Sequence, residues 1–235
     1  CFRPGEDEHP VGAQILGDLG ADVIKVERPG VGDDGRGYGF SWVPGKDGIE
    51  TRQSSFFTVS NRNKRSITLN HSKPEGQEVI RKLVETADVL IENYKVGDLK
   101  GFGLDYESLK EINPRLIYCS VTGFGQTGPM AALPGYDGLF PATGGMMAVT
   151  GIPDGQPGAG PLKTGPSLVD YMAGHNTALA ILGALMYRNR TGEGQYIDIA
   201  LLDSSVAMVS HIMQDYLISG NAPPRLGNGG NGGGP

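Results

Sequence analysis

Strand-like and helix-like segments alternate along most of this chain, and that alternation constrains its fold more than any other feature. The run ADVIKVE, residues 21–27, is a continuous β-branched stretch bounded by turn residues, and it follows the helix-period segment VGAQILGDLG, residues 11–20. The pattern then predicts a strand in SITLN, a helix in PEGQEVIRKLVETA opening on Pro74, a strand in DVLIEN, a helix in DYESLKEIN and a strand in RLIYCSVTGFG. Strands joined by helical crossovers form a parallel sheet, because the chain must return to the starting edge before the next strand can run the same way. The 235 residues suffice to bury such an α/β core without staples.

Farther on, residues 167–190 carry a wide stripe of Leu168, Val169, Met172, Leu179, Leu182, Leu185 and Met186, the pattern of a long core helix. It ends at Gly192, a candidate left-handed cap. A strand, QYIDIALL, and an amphipathic helix, SSVAMVSHIMQDYLISG, come next. The glycine cluster at the end reads as a flexible tail or a binding loop. Two long loops, residues 29–50 and 126–135, follow predicted strands, and the carboxyl ends of parallel strands are where such sheets bind ligands.

Several function classes are disfavoured. A net charge of -6 and an isoelectric point near 5.2 do not suit a protein that wraps nucleic acid, and no apolar run has the length of a membrane span. Cys1 and Cys119 suggest neither a disulfide framework nor a metal-ligand set, which fits the reducing cytoplasm. The acidic, polar start does not read as a signal peptide, and with no initial Met and a glycine-rich stop the chain is expected to be a fragment. Residues 30–35, GVGDDG, match a dinucleotide-binding spacing, but no helix pattern follows, and Asp33 and Asp34 would repel a pyrophosphate. The basic stretch NRNKRS, residues 61–66, reads as a solvated turn or, together with Arg28 and Arg36, as a phosphate grip. The four histidines lack ligand spacing.

Asp170 sits just inside the long helix. As the fourth member of a Ser167-x-x-Asp170 capping box it would close the helix end and complement its dipole. The same dipole favours the anion, and an ionised carboxylate in a water-poor site can attack an activated acyl carbon. Both readings stand on the local sequence.

Taken in order, LGDLGADVIKVERPGVGD, TVSNRNKRSITLN, ADVLIENYKVGDLKGFGLDYESLKEINPRLIYCSVTGFGQTGP, PGYDG, TGPSLVDYMAG and TGEGQYIDIALLDS resemble the class III (family III) CoA-transferases from Val11 to Gly220. The resemblance implies an α/β fold with a Rossmann-like parallel sheet and helical crossovers. This would be the large CoA-binding domain, residues 1–190, of an interlocked homodimer, with 191–235 starting the connection to a smaller domain and the family's C-terminal part lying beyond Pro235. It implies transfer of CoA from an acyl-CoA to a carboxylic acid, with CoA and acyl-CoA as substrates, no permanently bound cofactor, no metal, and no nucleic-acid or membrane partner.

Asp170 falls on the family's nucleophile, which forms an acyl anhydride and then an aspartyl-CoA thioester. CoA contacts carry over to Arg28, Leu69, Asn93, Tyr94 and Tyr136, and Lys100 stands beside the place of a phosphate-binding arginine. Gly232, Gly233 and Gly234 resemble a glycine loop that folds over the aspartate. A racemase of α-methylacyl-CoA shares the fold but needs a His beside the GYD element, where this chain has Gly135, Tyr136 and Asp137. An inactive CoA-binding fragment is the remaining alternative.

Overall fold

The computed structural model describes residues 10–230. The chain runs α1 (Pro10–Asp18), β1 (Val23–Glu27), β2 (Trp42–Pro44), β3 (Glu50–Ser54), α2 (Ser55–Asn61), β4 (Lys64–Thr68), α3 (Pro74–Val84), β5 (Val89–Glu92), α4 (Tyr106–Lys110) and β6 (Ile117–Thr122). It continues through α5 (Leu139–Thr143), α6 (Met146–Val149), β7 (Gly151–Ile152), β8 (Gly160–Pro161), α7 (Leu168–Thr191), β9 (Gln195–Ala200), α8 (Leu201–Met208) and α9 (Ser210–Ser219). The expected parallel pairing is present: β1 lies parallel to β4 with Val26 opposite Ile67, and β5 lies parallel to β6 with Ile91 opposite Cys119. Hydrogen bonding groups β5, β6 and β9 into a second sheet, in that order, apart from the β1–β4 pair.

Two compact units emerge. Among the described residues, one comprises 10–122 and 173–199, the other 123–172 and 200–230. They interleave in sequence, whereas a sequence reading sets a single cut after residue 190. The cause is α7, inside which the chain passes from one unit to the other, and β9, which returns to the edge of β6.

In the first unit the core gathers Val26 of β1, Leu90 of β5, Tyr118 of β6 and the inner face of α3. Helix α3 starts on Pro74, whose fixed φ suits a first helical turn, and buries Gly76, Ile80 and Val84 at four-residue spacing. Gly76 is required by close approach: a Cβ there would stand 1.9 Å from the Asn70 carbonyl oxygen.

Helix α7 has nearly the length its pattern predicts, but its buried face is different. Val169, Ala173, Ala178, Ile181 and Ala184 are inside, whereas Leu179 is 66% and Met186 71% exposed. Small residues win because they permit the closest contact. A Cβ on Gly174 would lie 2.6 Å from Val11 Cβ, and one on Gly12 would lie 2.8 Å from the Thr177 methyl, so the two helices meet almost backbone to backbone. The final amphipathic segment is two helices, broken at Val209, whose φ of -107° and ψ of 16° leave the helical region.

A buried ionic network fixes the loop after β1. Lys25 and Asp33 form an ion pair with side chains only 4% and 6% exposed, and Lys25 Nζ also donates to Asn61 Oδ1 at 2.8 Å. Glu27 accepts from Arg36 Nε at 2.7 Å and Nη2 at 2.8 Å, from Ser66 Oγ at 2.6 Å and from the Asp33 N–H at 3.0 Å. Burial pushes the Glu27 acid upward, but these donors outweigh it and hold the carboxyl at about 2. Its contribution to stability is therefore complete above its ordinary value of 4.5 and is lost as pH falls through about 2. Glu27→Gln is expected to cost roughly 3 kcal/mol at neutral pH, because it leaves Arg36 uncompensated. Denaturant melts should show the gap to wild type closing as the pH is lowered toward the acid limit; a gap constant with pH would sink this account.

Candidate active site

The loop that matches a dinucleotide fingerprint is a structural clasp. No α-helix opens on Gly35; a 3-10 turn, Asp34–Gly37, forms there, with the Asp33 carboxylate accepting the Gly35 N–H at 2.7 Å. Asp34 pairs with Arg28. Of the cations weighed as a phosphate grip, Arg36 is held by Glu27 with its guanidinium 3.8 Å from the Phe57 ring centre. Arg62 pairs with Asp18 and Arg65 with Asp22, as a solvated turn requires.

Five of the residues singled out from the sequence fall in the first unit, at or just beyond the carboxyl ends of parallel strands. Arg28 follows β1; Leu69 follows β4 and donates its N–H to the Glu27 carbonyl at 2.9 Å. Asn93 and Tyr94 follow β5, and Lys100 is exposed on the 3-10 turn Asp98–Phe102. Tyr94 Oη lies 3.3 Å from His71 Nδ1, and the His71 ring packs at 5.0 Å from Tyr94 and 5.6 Å from Phe102. Burial first, and then the charge of Arg28, lower the His71 pKa, so its imidazole is neutral at pH 7. The strand ends therefore present a guanidinium beside a neutral aromatic shelf, a surface suited to a flat heteroaromatic group carrying phosphate. His71 was not legible as part of this cluster, because its partners come from three different segments.

Glu92 sets the turn that carries Asn93 and Tyr94. Its carboxyl accepts the Tyr94 N–H at 2.8 Å and the Ser120 hydroxyl, which in turn accepts from Tyr196 Oη at 2.9 Å. Burial pushes this acid up to about 7 against those hydrogen bonds, and the charges of Asp198 and Asp98 add to the rise. Cys119 beside it is a buried thiol whose pKa burial also raises, which makes it inert rather than nucleophilic.

Asp170 and Tyr136 belong to the second unit. Tyr136 is exposed, in the loop before α5. Asp170 lies in the first turn of α7 and is partly buried. Its neighbours include residues the sequence did not single out. Asp137 Oδ2 accepts from Lys163 Nζ at 2.8 Å and from Ser167 Oγ at 2.9 Å. The Ser167 hydroxyl of the expected capping box thus has a partner outside its helix. Burial raises the Asp137 acid, but the bonds from Lys163 and Ser167 prevail and hold it below the usual carboxylate range. Gly232, Gly233 and Gly234 lie outside the described residues.

The chain has counterparts among known proteins. Residues 9–235 match CoA-transferase family III. The chain belongs to that family. It is 49% identical to the succinate–glutarate CoA-transferase of Agrobacterium fabrum over 93% of this chain and 54% of the relative, and 43% identical to the human succinyl-CoA:glutarate CoA-transferase over 93% and 47%. It is also 43% identical to the acetyl-CoA:oxalate CoA-transferase of Acetobacter aceti, over 93% and 54%. A crystal structure of a CAIB/BAIF family protein from Brucella suis superposes with a TM-score of 0.90 at 46% identity, covering 97% of this chain and 58% of that one. The chain spans about half the length of the curated relatives it matches.

The raised acid of Glu92 has a consequence for this family member's stability. Between its ordinary value of 4.5 and about 7 the folded protein retains a proton that the unfolded chain has released, so stability falls as pH rises across that window. Glu92→Gln is expected to flatten that decline. Urea midpoints of both proteins at about pH 5 and about pH 8 would check it; an unchanged slope would place Glu92 outside the titration.

Proposed function

We propose that this protein is a CoA-transferase that moves CoA from an acyl-CoA thioester to a carboxylic acid, with Asp170 as the nucleophile. The observation that carries the reading is the position of Asp170: a carboxyl in the first turn of a 24-residue helix, where the helix dipole favours the anion. The Asp170 carboxylate attacks the thioester carbonyl, the C–S bond breaks, and CoA leaves as thiolate with a mixed anhydride on the enzyme. The thiolate then attacks the aspartyl carbonyl, releasing the donor's acid and leaving an aspartyl-CoA thioester. The acceptor carboxylate attacks that thioester, and the thiolate, freed again, takes the acceptor's acyl group and regenerates Asp170. Every step exchanges one anion for another, so no metal or organic cofactor enters.

Arg28, Leu69, Asn93, Tyr94 and Lys100 would hold the nucleotide portion of CoA, in the region 1–190 read as CoA-binding, with Tyr136 nearer the acyl end. Gly232, Gly233 and Gly234 would shield the anhydride from water. Relatives named for succinate, glutarate and oxalate support small di-acids as the carboxylate class. The working form is a cytoplasmic homodimer, a reading supported by the apolar face of Leu179, Leu182 and Met186 left exposed on α7. Residues 191–235 would lead toward a smaller domain.

Intact-protein mass spectrometry with a panel of acyl-CoA donors tests the chemistry. A CoA adduct that hydroxylamine cleaves and that maps to Asp170 is expected, with Asp170→Ala losing the adduct and turnover by at least about a thousandfold. CoA binding without an adduct in wild type would leave Asp170 as a helix cap alone.

A further inference from the structure

We propose that Ser120 and Tyr196 are positioning residues for CoA, acting through Glu92 on the Asn93–Tyr94 turn. The inference rests on Asn93 and Tyr94 holding CoA. Its observations are geometric, and three neighbouring strands contribute one side chain each. Glu92 ends β5 and stands opposite Ser120 of β6 in the parallel register, so both side chains leave the same face of the sheet. Tyr196 comes from β9, the strand on the other side of β6. Tyr196 Oη donates to Ser120 Oγ at 2.9 Å, the Ser120 hydroxyl donates to Glu92 Oε1, and Glu92 Oε2 accepts the Tyr94 N–H at 2.8 Å.

Both oxygens of Glu92 are thus engaged, and the bonds lead from β9 across the sheet to a backbone group past the end of β5. Bonds in such a chain polarise one another, so loss of the first weakens the last. Glu92 and Ser120 are 5% and 1% exposed, which leaves water little access to replace a lost partner. A carboxyl is a costly group to bury in a sheet. What it adds here is reach: the pairing of β5 with β6 ends at Glu92 and Ser120, and the Tyr94 N–H lies two residues beyond that last pair. The chain is also held at both ends by rings. Tyr196 packs 5.3 Å from Tyr106 and 5.8 Å from Tyr118, and Tyr94 packs 5.0 Å from His71. A turn fixed in this way before the ligand arrives loses less freedom on binding, which raises affinity without adding a contact.

Tyr196→Phe, Ser120→Ala and the double variant, each in the intact protein, test this with CoA itself as the probe and its Kd read by titration calorimetry. Tyr196→Phe keeps the ring and removes only the hydroxyl, and Kd is expected to rise roughly threefold. Ser120→Ala also removes the bond to Glu92, and a rise of about tenfold is expected. Because Tyr196 acts through Ser120, the double variant should bind no more weakly than Ser120→Ala alone. Ser120→Thr restores the hydroxyl and should return Kd to within about twofold of wild type. KM for the acyl-CoA should follow these Kd values while kcat stays within about twofold.

Losses that fail to add, together with rescue by Ser120→Thr, support the proposal. Single variants that bind CoA as wild type does, or losses that add in the double variant, would overturn it while leaving Asn93 and Tyr94 as CoA contacts. Asn93→Ala tests the reading beneath: a wild type that binds no CoA, or an Asn93→Ala protein that binds it as tightly as wild type, would overturn that reading and the inference with it. Should Ser120→Ala not fold, Tyr196→Phe still decides the matter, since Tyr196 is 39% exposed and the substitution leaves its ring in place.

Discussion

The carboxylate of Glu27 is the interaction on which the first unit turns. It sits at the last residue of β1, and through four hydrogen bonds it holds the neighbouring strand at Ser66, the loop at Asp33 and the guanidinium of Arg36. A carboxylate buried to this degree is stable only because every lone pair meets a donor. Its engagement determines what the next residue can do. With Glu27 turned inward and holding Arg36, Arg28 emerges outward at the strand end, where Asp34 from the same loop pairs with it. The buried and the outward-facing cations of this loop are thus sorted by which carboxylate reaches each.

Two buried glutamates at matching places, the last residues of β1 and of β5, titrate in opposite directions. Glu27 is met by charged and hydroxyl donors and falls to about 2, whereas Glu92 is met by one hydroxyl and one N–H and rises to about 7. The difference comes from the guanidinium that Glu27 has and Glu92 lacks, from the deeper desolvation of Glu92 and from the like charges of Asp198 and Asp98 beside it. Each carboxyl also anchors the backbone leading to a proposed CoA contact: Glu27 precedes Arg28, and Glu92 accepts the N–H of Tyr94. The acid that weakens as pH falls and the acid that weakens the fold as pH rises bracket a window of greatest stability between them.

The order of strands and crossovers was legible because hydrophobic period and turn residues are local properties, and the parallel pairing of β1 with β4 and β5 with β6 follows from them. The placement of Asp170 at a helix start was legible for the same reason. What the sequence could not rank was contact at a distance. Arg36 looked as available as Arg28 until the loop closed nine residues back onto Glu27. The large apolar residues of α7 suggested its buried face, yet close helix packing selected alanine and glycine instead. Asp137 and Lys163 are separated by 26 positions, and each alone is an ordinary loop residue; only the fold makes them one clamp.

The close contact of α7 with α1 also bears on the proposed chemistry. Gly174, where the two helices nearly touch, is one helical turn after Asp170, and residues that far apart on a helix are rigidly related by its hydrogen bonds. Farther along, Arg188 ties the same helix to Asp88 at 2.7 Å. A nucleophile on a loop would have to be immobilised at the moment of attack, at an entropic cost in the barrier. In the proposed reaction the backbone of Asp170 is held by the hydrogen bonds of the long helix that carries it, so mainly the side chain's own torsions remain to be fixed.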